Sequence, residues 1–476
     1  MNLLRKIFIP VVLFAVTFQL NGQPADTNYD NQQNHSGKDG FTAKAQQVDK
    51  TKIEQEYLAK ARQNIEKYRK GDATILLLDE KDKPVKNVQV EVNQVSQDFL
   101  FGNIAWELTG MVEDQYKIDV FKERFKALFN FAIIPFYWSY YEEQAGNPAW
   151  RRNEPGIQWC LENNITLKGH PLAWTNIAGT PDWLFKLPAD VATDLLKARI
   201  QENVVGYKGK INIWDVVNEA ANMVPWDVAL KDTANREWLR YVIGNITVDQ
   251  QADWVENAFK WADHANPDGT YILNEFYTLA RQYVRDRFYQ LVKELLSRNT
   301  PIKGLGIQAH EPREEWFSPV EMYKTFDLYS EFNLPIHITE FMPQSGGKAI
   351  TGWREGTWTE EAQAECAEQF YTLAFGHPSV VSINWWGLSD RDIWLPGGGL
   401  IDEEYNPKPV YNRLMKLIKE DWMTKNLVLK TDEKGYTNFR GFYGKYQVKA
   451  TMPDGSTRML DMHLKEKGEN RWEFKL

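Results

Sequence analysis

Two glutamates stand where strand-like runs end. Glu219 closes the run Ile-Trp-Asp-Val-Val-Asn-Glu (213–219), directly behind Asn218, and Glu340 closes Ile-His-Ile-Thr-Glu (336–340). Cleaving a glycosidic bond commonly takes two carboxyl groups. One keeps a proton for the leaving oxygen, and the other stays ionised to attack or to activate water. A single strand-end glutamate is more often half of a structural ion pair. The pair is different: it comes with a neighbouring Asn and with 19 Trp, 21 Tyr and 24 Phe in one chain, and flat aromatic faces stack on sugar rings. None of the candidate positions has metal-ligand spacing and no Gly-rich phosphate loop precedes a helix, so neither metal nor cofactor is expected.

The elements that must carry these glutamates follow from the apolar pattern. Short apolar runs recur near 100–104, 131–134, 166–169, 211–217, 271–273, 304–308, 336–339 and 380–384, with amphipathic helical stretches such as 189–205 and 360–375 between them. Eight alternating strands and helices predict a (β/α)8 barrel or a doubly wound sheet. Polar and aromatic residues follow the runs: Trp106, His170, Asn218, Glu219, Asn274, Glu275, His310, Glu340, Trp385 and Trp386. A barrel gathers all of these at one rim, whereas a doubly wound sheet gathers fewer, so the barrel is preferred. At about 40 residues per βα unit, Glu219 and Glu340 fall on strands four and seven.

The remaining segments are assigned by composition. Arg5 and Lys6 precede an apolar run from Ile7 to Phe18, too short to cross about 30 Å of hydrocarbon. Residues 1–22 therefore read as a secretory signal peptide, the chain as exported (secreted or periplasmic), and no membrane insertion is expected after cleavage. Residues 23–48 are polar and nearly free of aliphatics, which predicts a flexible linker. A helix from Thr51, with a capping-box match to Glu54, opens the segment 49–98, and β-rich sequence fills 421–476. Neither piece can bury a core alone, so the two are expected to form one accessory β-sandwich beside a catalytic domain over 99–420. A net charge of −9 argues against nucleic-acid partners. The only cysteines, Cys160 and Cys366, exclude a disulfide framework and are expected to be buried or free. Gly397–Gly399 reads as a turn.

Five motifs in chain order are specific. Lys-Gly-His-Pro-Leu-Ala-Trp (168–174), Trp-Asp-Val-Val-Asn-Glu (214–219), Gly-Ile-Gln-Ala-His (306–310), His-Ile-Thr-Glu (337–340) and Trp-Trp-Gly-Leu-Ser-Asp-Arg-Asp-Ile-Trp-Leu-Pro (385–396) closely resemble those of glycoside hydrolase family 10, the retaining endo-β-1,4-xylanases. The resemblance covers roughly 99–420. It implies that Glu219 is the acid/base and Glu340 the nucleophile, about 5–5.5 Å apart. It implies that Asn218 bonds the sugar 2-hydroxyl, and that Gln308 and His310 orient Glu340 and that sugar. It further implies that Lys168, His170, Trp174, Tyr137, Asn274, Trp386 and Trp394 bind a xylan-type substrate.

The sequence also departs from the family pattern. A Glu-Asn-x-x-Lys-Trp segment usually follows the second strand; here Ile133, Ile134 and Tyr137 take the three polar places and only Trp138 is kept. Thr175 replaces a histidine, and Met342 replaces an Asp that would hold His310, which predicts a lowered His310 pKa. Loss of hydroxyl-binding groups changes substrate choice. Two alternatives thus stay open: the same mechanism on a different or decorated β-linked glycan, and a glycan-binding protein that no longer hydrolyses.

Overall fold

A computed structural model describes residues 49–110, 114–231 and 246–476. The segments assigned as signal peptide and linker lie outside the described residues. Eight parallel strands close into a barrel: Leu100–Ile104, Phe131–Pro135, Thr166–His170, Ile213–Asn218, Thr270–Glu275, Gly304–Ile307, Ile336–Phe341 and Val380–Trp385. They follow one another around the ring in chain order, and the eighth pairs with the first. Helices of the usual barrel kind lie between them, among them Ala189–Gly206, Val248–Ala265 and Gln282–Ser297. A capping box at Thr247 and Gln250 starts the second of these, each side chain bonded to the other's backbone N–H. No helix among the described residues is long and apolar enough to cross a membrane.

The segments on either side of the barrel form two antiparallel-rich sheets. One holds Tyr436–Phe442, Lys70–Leu78 and Arg471–Lys475; the other holds Leu427–Lys430, Gln89–Gln97, Gly444–Thr451 and Thr457–Leu464. Ile75, Leu77, Val90, Val92, Phe439, Val448 and Leu464 from the two sheets share one core, the expected β-sandwich. Strands 436–442 and 457–464 are absent from the apolar pattern because Thr, Asn, Arg and Asp interrupt it. Of the few aromatics there, Tyr446 is buried in this core, and Tyr443 and Trp472 are half-buried against it. The helix Lys50–Tyr68 buries Leu58, Ala61 and Ile65 as its spacing predicts. Its Glu54 is not a cap: the carboxylate accepts from Trp353 and from Arg354. Both cysteines are buried and free, and burial pushes the Cys160 thiol up to about 12.

The barrel interior is unusually polar. Lys168 and Asp215 pair at 2.6 Å with no exposure, His170 Nδ1 meets the same Asp215 oxygen at 2.8 Å, and His337 meets Ser382 at 2.9 Å. Buried polar groups are costly unless partnered, and these contacts join neighbouring strands. Beyond the eighth strand, the Gly397 turn is locked from outside by Lys408. Its buried ammonium donates to the carbonyls of Gly397 and Gly399, to Ser345 and to Asp390 at 2.9–3.1 Å. Removing one partner of such a pair strands the rest. Lys408→Met is therefore expected to lower stability by about 3 kcal/mol, measured as a shift in the urea midpoint at unchanged slope. A loss below about 1 kcal/mol would mean the turn is held by other contacts.

Candidate active site

Glu219 and Glu340 approach each other through an amide junction at the strand ends. The Asn218 side-chain oxygen accepts from Asn274 Nδ2 at 2.8 Å and from Gln308 Nε2 at 3.3 Å. The same Asn274 nitrogen donates to Glu340 Oε1 at 2.8 Å, and the same Gln308 nitrogen donates to Glu219 Oε1 at 3.0 Å. Each carboxylate is thus two hydrogen bonds from one shared oxygen. The amide orientations are mutually consistent, because the Asn274 oxygen accepts from Thr339 and the Gln308 oxygen faces His310 Nε2 at 2.8 Å. Trp174 Nε1 donates to the outer oxygen of Glu219 at 2.8 Å.

Local backbone explains why these side chains converge. Asn218 and Asn274 are register partners at the ends of the fourth and fifth strands. Gly306 faces Asn274 across the next pair, and a Cβ there would lie 2.3 Å from the Asn274 side-chain oxygen. Glycine is required by the close approach. Glu219 and Ala309 both adopt left-handed φ, +62° and +61°. For a residue with a Cβ this costs roughly 1–2 kcal/mol and marks sites held by their surroundings.

The electrostatics follow from burial. Glu340 is 3% exposed; burial first, then the charge on Glu219, pushes its carboxyl well above the ordinary range, while Lys168 and the Asn274 bond pull it down. Both carboxyls ionised together is therefore disfavoured. His310 is lowered to about 3, by burial before the charges of Arg313 and His170, and so stands neutral. Its Nε2 carries the proton toward Gln308 and lies 3.6 Å from Glu340 Oε2. Its Nδ1 is buried without a hydrogen-bond partner, beside a cavity of about 10 Å³ lined by Met342 and Cys366. The direction matches the expectation drawn from Met342, although burial is the larger cause.

The expected positions are placed differently from one another. Lys168 and Asn274, expected to bind sugar, have no exposure; Lys168 pairs with Asp215, and Asn274 bonds Asn218 and Glu340. Gln308 reaches Glu219 rather than Glu340. Ile133 and Ile134 are fully buried in the second strand, so of the three altered places only Tyr137 reaches the site. Tyr137 stacks on Trp106 at 5.2 Å and meets the rings of His170 and Trp174 edge-on at 5.4 and 5.7 Å. Burial and then the charges of Glu340, Glu219 and Asp215 push its hydroxyl up, which keeps it a neutral donor. Trp386 closes on His170 at 5.1 Å, and Trp394 stands edge-on to His310 at 5.2 Å under Arg313. Sequence reasoning passed over Asp215 and Glu275 as functional residues. Asp215 had a signal, a lone charge inside a β-branched run. Thr175, in the histidine place, is buried and donates to the carbonyl of Val224 at 3.0 Å.

Comparisons with known proteins bear on the family and the fold. Endo-1,4-beta-xylanase B of Thermotoga neapolitana is 26% identical over 350 residues, 71% of this chain and 92% of that protein. The anti-sigma-I factor RsgI6 of Acetivibrio thermocellus is 25% identical over 415 residues, 84% of this chain but 47% of that longer protein. In fold, the chain is similar to the crystal structure of xylanase 10B from Thermotoga petrophila in complex with xylobiose. The TM-score is 0.54 at 24% identity, over 68% of this chain and 95% of that one. The profile of glycosyl hydrolase family 10 matches residues 95–417. The chain belongs to glycosyl hydrolase family 10 and is a glycosidase of the endo-xylanase kind.

Proposed function

We propose that this protein hydrolyses β-1,4-xylosidic bonds in xylan by double displacement with retention. The observation that carries this reading is the junction that ties Glu219 and Glu340 to one Asn218 oxygen. Glu340 attacks the anomeric carbon while Glu219 gives its proton to the leaving oxygen; Glu219 then takes a proton from the water that releases the sugar. Asn274 holds Glu340 with an N–H that favours its charged form, and neutral His310 stands beside it without adding charge. Asn218, its oxygen occupied by two donors, has its amide nitrogen left to turn between Glu219 and a sugar hydroxyl. Trp174, Tyr137, His170, Trp386 and Trp394 form the walls. The basic and apolar start of the chain supports export to where such polysaccharides lie.

A second reading has its own support. Tyr137 places a ring where hydroxyl-binding groups usually stand, which favours a different or decorated β-linked glycan. Glycan recognition without turnover is the third reading, and it gives no product from any substrate. Product analysis on xylan, mixed-linkage glucan and an aryl β-xylobioside separates them. Release of xylo-oligomers is expected; hydrolysis of the glucan alone, or of nothing, would replace the first reading with the second or third.

Two further outcomes test the chemistry. Proton NMR of the first product formed should show the β-anomer, and Glu340→Ala should lower kcat/KM by roughly 10³-fold or more; an initial α-anomer would overturn retention. A carboxyl whose pKa is raised loses its charge at a higher pH than usual. The acid limb of kcat/KM is therefore expected above the ordinary glutamate value of about 4.3. An inflection at or below that value would contradict the raised pKa of Glu340, not its role as the ionised group.

A further inference from the structure

The turn that carries Glu219 is clamped from behind by two residues that do not face the sugar. Glu219 donates its N–H to the carbonyl of Asn274 at 2.8 Å, and its own carbonyl accepts from the N–H groups of Asn222 and Met223 at 3.1 and 2.9 Å. The next peptide links are gripped at both poles. Ala221 N–H donates to Glu275 Oε2 at 2.6 Å, and the Ala221 carbonyl accepts from Arg287 Nε at 2.9 Å. The other Glu275 oxygen accepts from Asn222 Nδ2 at 2.7 Å and from the Phe276 N–H at 3.0 Å, and Arg287 reaches on to the carbonyl of Ile246 at 2.9 Å. Glu275 has no exposure, although it ends the fifth strand one residue beyond Asn274.

A fully buried carboxyl is costly, and packing alone would be served by an apolar side chain. Its geometry is specific to acceptors: three N–H donors converge on two oxygens, which an amide could satisfy only by turning its NH₂ against one of them. Burial pushes the carboxyl up, while the bonds from Asn222, Ala221 and Phe276 favour its ionised, accepting form.

We propose that Glu275 and Arg287 are positioning residues for proton transfer: by gripping the two peptide groups that flank the Ala221 Cα they hold Glu219 in its left-handed conformation and aim its carboxyl at the leaving oxygen. This inference rests on Glu219 as the acid/base. A merely structural role would lower all activity alike, whereas a positioning role acts only where a proton must be delivered. The test compares kcat/KM for 2,4-dinitrophenyl β-xylobioside, whose leaving group departs unaided, with phenyl β-xylobioside, whose leaving group needs a proton. Glu275→Gln and Arg287→Ala are expected to lose about 100-fold on the phenyl substrate and less than about 3-fold on the dinitrophenyl one. Arg287→Lys, which keeps charge but loses the fork, should fall between. Equal losses on both substrates, or no loss, would overturn the proposal. A second readout needs no substrate: the Trp174 indole proton, bonded to Glu219, should shift in the NMR spectrum of Glu275→Gln, and an unmoved signal would also overturn it. Glu219→Ala run alongside separates the two levels of argument. If that variant shows no difference between the substrates, the acid/base assignment fails; if it does and the clamp variants do not, only the clamp fails.

Discussion

Two carboxyl groups that must sit close together repel one another as soon as both ionise, and burial makes that repulsion larger. The site meets this constraint with neutral amides. Asn218, Asn274 and Gln308 bridge Glu219 and Glu340 through N–H donors and one shared oxygen, so the carboxylates are held by dipoles rather than by a cation between them. A cation placed there would have kept both groups ionised, leaving no proton for a leaving group. The positive charge of Lys168 is instead placed lower in the barrel, spent on Asp215, which in turn orients His170.

That arrangement has consequences for the whole barrel. Polar side chains fill positions that Val, Ile and Leu usually occupy, and each must find a partner on a neighbouring strand. Close approaches of this kind leave no room for a Cβ at Gly306 against Asn274, nor at Gly169, where it would lie 2.0 Å from the Trp214 ring. Strand ends then turn sharply, with Glu219 and Ala309 in left-handed backbone that the surrounding hydrogen bonds keep in place. Strain, glycine placement and buried polarity are three expressions of the same requirement for short distances.

The walls are a separate matter. A belt of rings runs from Trp106 through Tyr137 and His170 to Trp386, and Tyr137 brings a neutral phenol close to three carboxylates. Met342 leaves His310 Nδ1 without a partner and a small cavity next to it, so the histidine is neutral and donates from Nε2 alone. The proton-transfer groups and the ring-lined wall thus reside on different side chains.

Much of this is legible in the amino-acid sequence. The apolar runs located all eight barrel strands to within a few residues, because strand interiors must be apolar and their ends polar. The same rhythm put Glu219 and Glu340 on strands four and seven. The sandwich was legible in outline, although two of its strands were hidden by polar residues on their outward faces. What the linear order did not reveal was which side chains would be buried beneath the site and which would line it. Lys168, Asn274, Ile133 and Ile134 are placed by the twist and tilt of their strands, and Glu275 acquires its three donors only when the turn after Glu219 folds back on it. Periodicity and motif spacing act along the chain and so specify elements and their ends; burial and hydrogen-bond partnership arise between strands far apart in sequence, and these only the closed barrel decides.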